Sequence, residues 1–286
     1  MVRGMGRLEE ATPMLLTLNA GFGELIGAPD LALIKSLGFG AVRQDFRTVA
    51  DGQLAGEIAD AGLAVIAVLD PETWGEGFAG LVSTIHKAAG GQRVIYEVGN
   101  ELDGKMAPDA YGHAFYAVEH WVRMIDPDAE VITAGIRDTG HDPLLWLHRV
   151  LSTGLVSHRS GVGFHTYRAT PPGVPREGYT RREHEYDALR FTARGRRLYH
   201  TEIGWSTAPR KASGCAGWFG KRWSYSDEQV AEFLDYELRI NRDQGAECFT
   251  IFQLNDSATN DNEGRFGIRD YAGQLKPSAH VVARYA

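Results

Sequence analysis

Glu101 closes the run "VIYEVGN", Val94 to Asn100, and Glu202 lies inside "RLYHTEIGW", Arg197 to Trp205, so each carboxylate comes late in an apolar, β-rich stretch. Side chains at strand ends build sites more often than cores. Two carboxyl groups brought face to face can divide the work of glycoside hydrolysis. One protonates the leaving oxygen, while the other attacks the carbon or activates a water. A lone glutamate near a strand end is usually a surface or ion-paired group. The joint presence of Asn100, Arg43, His165 and Tyr167 at matching strand ends turns the balance toward chemistry.

Positioning these residues takes a series of strands. Eight runs read as such: "MLLTLNAGF", "AVRQDF", "LAVIAVLD", "VIYEVGN", "EVITAGI", "GVGFHTY", "RLYHTEIGW" and "CFTIFQL". Helical segments separate them at Asp30 to Leu37, Gly52 to Ala61, Phe78 to Ala89, Asp109 to Ile125, Pro143 to Ser152, Arg181 to Ala193 and Asp227 to Asp243, with a short helix after Pro277. Strands apolar nearly throughout predict parallel pairing, buried on both faces. The simplest closed arrangement is an α/β fold, a single-domain (β/α)8 TIM barrel over residues 1–286. An open doubly wound sheet would place G-x-G-x-x-G after its first strand, and "NAGFGELIG" fails at the third glycine. In such a barrel the C-terminal strand ends carry the active site, and strands four and seven face each other across the mouth.

The chain of 286 residues has a formal charge of -7 and a pI near 5.8. That balance argues against nucleic acid, which needs concentrated positive surface. Arg181, Arg182, Arg194, Arg196 and Arg197 lie among Glu183, Glu185 and Asp187 and read as a solvated helix face. Cys215 and Cys248 are too few for a disulfide scaffold and lack zinc-site spacing, which leaves a single bridge open. No apolar run approaches membrane-spanning length, and no export signal is visible. A monomer without a membrane partner is expected, and its location, cytoplasmic or secreted after signal removal, is left open.

Three motifs together, "VGNE", "FHTY" and "TEIGW", resemble the retaining clan A glycoside hydrolases over nearly the whole chain. The resemblance implies Glu101 as acid/base, Glu202 as nucleophile and Asn100 as a hydrogen-bond partner of the sugar 2-hydroxyl. It places Arg43 of "AVRQDF" beside the nucleophile, Tyr167 in hydrogen bond with it, and His165 lining the cleft. The ending "GRFGIRDYAGQLKPSAH" is similar to family 39 and "TEIGWST" to family 17, with family 5 also in the clan. Thr48 departs from the strand-two aromatic of family 39-like barrels. Phe252, Gln253 and Asn255 stand where many members carry a sugar-stacking tryptophan; Gln253 is taken as a substrate contact. The implied activity is an endo-acting O-glycosyl hydrolase on a β-linked oligo- or polysaccharide, with no cofactor. The rivals are an inverting or otherwise different glycosidase on the same barrel, and a catalytically silent glycan-binding barrel, since folds outlive functions.

Physical reasoning adds that the negative charge of Glu202 should raise the pKa of Glu101, while Arg43 and Tyr167 keep Glu202 ionised. Glu97 shares strand parity with Glu101, so it should lie deeper in the barrel in an ion pair with a neighbouring strand. His200 shares parity with Glu202 and reads as a hydrogen-bonded core histidine. Asp45 is left unassigned. Trp121 and Trp146 read as packing residues, whereas Trp74 and Trp205 follow strands three and seven, where flat faces can stack on sugars. The long connection Ser206 to Tyr225 brings Trp218 and Trp223 as candidate cleft walls. "NDSATNDNEG" lacks calcium-loop spacing and reads as a solvated subsite loop, and His141 with His148 has no third ligand. No metal is expected.

Overall fold

Each of the eight apolar runs forms a strand in the computed structural model, which describes residues 13–20, 26–167, 171–172, 174, 181–208, 225–257 and 263–285. The strands are β1 (Leu15–Asn19), β2 (Ala41–Asp45), β3 (Ala64–Leu69), β4 (Val94–Asn100), β5 (Glu130–Gly135), β6 (Val162–His165), β7 (Leu198–Ile203) and β8 (Cys248–Ile251). A helix follows each: α1 (Ala28–Ser36), α2 (Leu54–Asp60), α3 (Phe78–Ala88), α4 (Pro108–Ile125), α5 (His141–Ser152), α6 (Arg182–Ala193), α7 (Asp227–Asp243) and α8 (Pro277–Val282). The all-parallel sheet runs β5-β4-β3-β2-β1-β8-β7-β6. Backbone bonds close its two ends: Gly161 N–H donates to the Val131 carbonyl at 2.9 Å, and His165 N–H to that of Ile136 at 2.9 Å. This is a single (β/α)8 barrel. At that seam a Cβ on Gly163 would stand 2.6 Å from the Thr133 carbonyl oxygen, so only glycine lets the strands meet.

Two apolar layers result because parallel strands are covered on both faces. Leu15, Ile66, Ile95, Ile132, Tyr199 and Cys248 pack inside the barrel. Val42, Val65, Ala67, Leu69, Phe164 and Phe249 pack outward against the helices. Cys248 is a free thiol, and burial pushes its pKa up to about 12. The bridge left open by the sequence is therefore not made at Cys248, and Cys215 lies outside the described residues. Among the described residues no helix is long and apolar enough to cross a membrane.

The basic stretch near α6 corrects the solvated-face reading at Arg182, Glu185 and Arg196. Arg182, Glu185, Tyr186 and Leu189 recur at the spacing of one helix face, and that face is buried. Arg182 is 2% exposed and donates from Nε and Nη2 to Glu237 of α7, both at 2.9 Å, and from Nη1 to Glu185 at 2.6 Å. Beside the local Glu185, the second counter-charge comes from a helix more than fifty residues away, which local charge pattern could not announce. Arg196 is likewise buried, on the carbonyls of Val156 and Ser157. Arg194, Arg197, Glu183 and Asp187 do face solvent. Trp146 packs beside Tyr111 as expected, whereas Trp121 is 47% exposed.

Candidate active site

The end of β4 is bent to aim its carboxylate. Gly99 has φ +84°, and a Cβ there would lie 2.5 Å from Leu102 Cδ1. Glu101 itself adopts φ 50°, ψ 49°, a left-handed conformation costly for a side-chain-bearing residue and concentrated at functional sites. Its N–H is held by the Gly135 carbonyl of β5 at 3.1 Å.

Glu202 reaches the mouth by another route. The ladder slips between His200 and Ile203 on β7, and between Phe164 and His165 on β6. Tyr199 belongs to the inner layer, and Thr201 donates to Glu97 inside the barrel at 3.0 Å. Beyond the slip Glu202 also turns inward, onto Arg43 of β2. His200, two residues back, stacks on Phe164 in the outer layer. Simple alternation therefore misassigns its face, although its reading as a hydrogen-bonded core histidine stands: it is fully buried, with partners at Thr166 and Asn241.

Around Glu202 the donors converge. Arg43 Nη1 reaches Oε1 at 2.5 Å, Tyr167 Oη donates to Oε2 at 2.9 Å, and Asn19 Nδ2 donates to Oε1 at 3.4 Å. Arg43 is shared: its Nε donates to Glu97 at 2.6 Å and its Nη2 to Asn100 Oδ1 at 2.9 Å. Glu97 is fully buried and also accepts from the Gly135 N–H and the Thr201 hydroxyl, so the expected buried ion pair is present, but its partner comes from β2, beyond the neighbouring strand β3. Burial opposes the charge on Arg43, but Glu97 and Glu202 outweigh it and raise its pKa further. The same burial, with Glu202 beside it, drives the Tyr167 phenol well above its usual range and keeps it a donor.

Glu101 does not behave as the sequence suggested. Burial pushes its pKa up, yet the hydrogen bond and charge of His165, whose Nδ1 lies 3.0 Å from Oε1, outweigh burial and hold it below the ordinary carboxylate value. Conversely, burial lowers the His165 pKa, but the charges of Glu202 and Glu101 more than offset that and raise it. The expectation that Glu202 would raise Glu101 is thus corrected. The His165 imidazole stands between the two carboxylates, 3.9 Å from Glu202 Oε2, and the charge of Glu202 raises its pKa rather than that of Glu101. Gly135 makes room for it, since a Cβ there would fall 2.2 Å from His165 Nε2. Gly135→Ala must displace the ring; a misplacement of this size is expected to lower kcat by about 10²-fold with little change in melting temperature, measured on any substrate the wild type turns over.

The other expected contacts divide. Asn100 lies beside Arg43 at the mouth. Trp74 is half-buried; its indole N–H donates to the Leu69 carbonyl at 2.9 Å, and its ring passes the end of β4 at Gly99. Trp205 is corrected: it is 1% exposed and packs on Phe233 of α7, so it presents no face to a sugar. Gln253 follows β8 half-buried, bonded through its backbone to Phe266 and Ile268. Trp218 and Trp223 lie outside the described residues. The start of the solvated-loop reading is also corrected, because Asp256 is buried against Lys276 Nζ at 2.8 Å and Asn255 is held by Arg269 at 2.6 Å.

Sequence reasoning passed over two mouth residues. Asn19 ends β1, and Asp70 directly follows β3, sharing the inward parity of Ile66. Burial first, and then the charges of Asp45 and Glu72, push the Asp70 carboxyl up to about 6. Their signal was the one used for Glu101, a polar residue ending an apolar strand.

Among the described residues, Glu101, His165 and Glu202 bring three ligand atoms within 4.8 Å of one another, close enough to hold a cation. Arg43 at 2.5 Å from Glu202 puts a fixed positive charge against that position and disfavours a metal.

No family model and no curated protein matches this chain in sequence. Solved structures do match. A family 39 glycoside hydrolase from the gut symbiont Bacteroides cellulosilyticus WH2 superposes with a TM-score of 0.67 at 17% identity, over 96% of this chain and 63% of that one. This chain therefore spans less than two thirds of that enzyme's length. The endoglucanase Cel5A of the hyperthermophilic Thermotoga maritima gives 0.62 at 15% identity, over 94% of this chain and 96% of its own. The cellulose synthase subunit Z of Clostridioides difficile gives 0.62 at 13%, over 94% and 99%. At such identities the likeness establishes a shared barrel fold.

Proposed function

We propose that this protein is a retaining glycoside hydrolase that cleaves β-glycosidic bonds in an oligo- or polysaccharide, with Glu202 as nucleophile and Glu101 as acid/base. One observation carries the reading: Glu101 at the end of β4 and Glu202 on β7, three strands apart round the barrel, bring carboxyl oxygens within 4.8 Å of each other around His165. That separation suits direct attack on the sugar, because retaining pairs stand about 5–5.5 Å apart whereas inverting pairs leave about 6.5–9.5 Å for a water. The glycoside hydrolases among the structural neighbours support the class.

In the first step Glu202, oriented by hydrogen bonds from Arg43 and Tyr167, attacks the anomeric carbon while the leaving oxygen takes a proton from Glu101. In the second, Glu101 accepts a proton from the water that cleaves the glycosyl ester. Asn100 has its carbonyl committed to Arg43, which leaves its amide N–H groups to donate to a sugar hydroxyl. Trp74 and Gln253 border the same mouth and would contact the substrate there. Reducing-sugar release from a broad panel of β-glycans tests the reading. At least one should be cleaved by wild type and by neither Glu202→Ala nor Glu101→Ala; binding to a glycan with no cleavage across the panel would instead favour a silent binding barrel.

The acid step needs one proton on the Glu101–His165 pair, and in the free protein the raised His165 and lowered Glu101 values put it on the imidazole. Activity should therefore persist until pH rises through the His165 value, above its ordinary 6.5. In His165→Asn the proton has only Glu101 to occupy, and carboxyls release theirs at lower pH. The basic limb of the kcat/KM profile should move acidward; an unmoved limb would show that His165 does not share the acid's proton.

A further inference from the structure

Thr166 sits between His165 and Tyr167, each of which touches one of the paired carboxylates. Its hydroxyl lies 2.8 Å from His200 Nε2, and its backbone N–H donates to the Glu202 carbonyl at 3.4 Å. It thus spans residues 200 and 202, the stretch where the β7 ladder slips, from a point just past the slip in β6. Beyond the slips the backbone still pairs His165 with Glu202 and Ile203 with Ile251, and the Thr166 hydroxyl adds a side-chain tie across the irregular stretch.

The proton positions of this tie follow from its neighbours. Asn241 Nδ2 donates to Tyr186 Oη and to the Glu237 carbonyl, both at 2.8 Å, so Asn241 Oδ1 is the atom that faces His200 Nδ1 at 3.0 Å. An amide oxygen only accepts, so Nδ1 carries the hydrogen and Nε2 is bare to accept from Thr166. Burial, then the positive charge of Arg182, holds His200 neutral, well below its ordinary value. Asn241 and Glu237 belong to α7, and Arg182 clamps Glu237 from α6. The tie is thereby anchored in two helices behind the sheet.

We propose that Thr166 and His200 are positioning residues: their hydrogen bond locks the shifted ends of β6 and β7 together and sets Glu202 against Tyr167 and His165. The proposal rests on Glu101 and Glu202 being the reacting carboxylates.

Thr166→Val removes the hydroxyl at nearly constant volume, and Thr166→Ser restores it. On a glycan cleaved by the wild type, Thr166→Val should lower kcat by about 10²-fold with KM within about threefold, and Thr166→Ser should recover most of the loss. Histidine side-chain NMR reads the same geometry without turnover. His165 faces Glu101, Glu202 and Arg43, so its titration midpoint should fall in Thr166→Val as Glu202 moves away, and return in Thr166→Ser. A folded Thr166→Val protein with wild-type kcat and wild-type His165 titration would overturn the proposal; where no glycan is turned over, the titration alone decides. If Glu202→Ala retains activity, the assignment of the carboxylates fails instead, and the titration still tells whether the clamp positions residue 202.

Discussion

Glu202→Ala should abolish glycan cleavage while leaving the barrel folded. The loss in kcat should reach about 10⁴-fold or more, the scale on which removal of a covalent nucleophile is felt in other enzymes. Folding should survive because Arg43, which would otherwise be stranded, keeps Glu97 at 2.6 Å and Asn100 at 2.9 Å. A small anion offers a second readout. Azide has room in the space the carboxylate vacates and can attack the anomeric carbon once from the same side. It should then restore turnover and give a glycosyl azide of opposite configuration to the substrate. Unchanged activity in Glu202→Ala would remove the nucleophile from this account, and a global loss of structure would show that the residue serves the fold.

The largest expected effect on stability lies away from the mouth. Arg182→Ala leaves Glu237 and Glu185, both fully buried, without their shared cation. Breaking one side of a buried ion pair typically costs about 3–5 kcal/mol. For a chain of this size that corresponds to a melting temperature lowered by roughly 10 °C. Thr139 and Tyr186 retain hydrogen bonds to these carboxylates but carry no charge to offset theirs. Thermal unfolding of the variant beside wild type measures the difference. A change of less than about 1 kcal/mol would mean that water reaches the site, as it does for surface pairs.

Much of this architecture was legible because it rests on periodicity. Parallel strands buried on both faces are apolar at every position, and helices between them repeat their apolar residues about every turn, so both patterns survive in a single sequence. Glu97 was legible too, as a carboxylate inside an apolar strand that must be paired, although the count back from Glu101 crosses the bend at Gly99. What was lost depends on departures from the period or on distant partners. The slip in β7 puts His200 and Glu202 on opposite faces although only Thr201 lies between them, and no local residue type announces it. Arg182 reads as solvated until Glu237 arrives from α7. Trp205 reads as a sugar platform until α7 covers it with Phe233. The pKa of Glu101 could not be read from the carboxylate pair alone, because His165 intervenes from a third strand.

The central claim is a double displacement by two close carboxylates, and its stereochemistry tests it most directly. Proton NMR of the reaction on a β-linked glycan, recorded within the first minutes, identifies the anomer released before mutarotation mixes the two forms. Two successive displacements restore the starting configuration, so the account predicts the β-anomer as first product. An α-anomer as first product would mean a single displacement by water, and would contradict a covalent intermediate on Glu202.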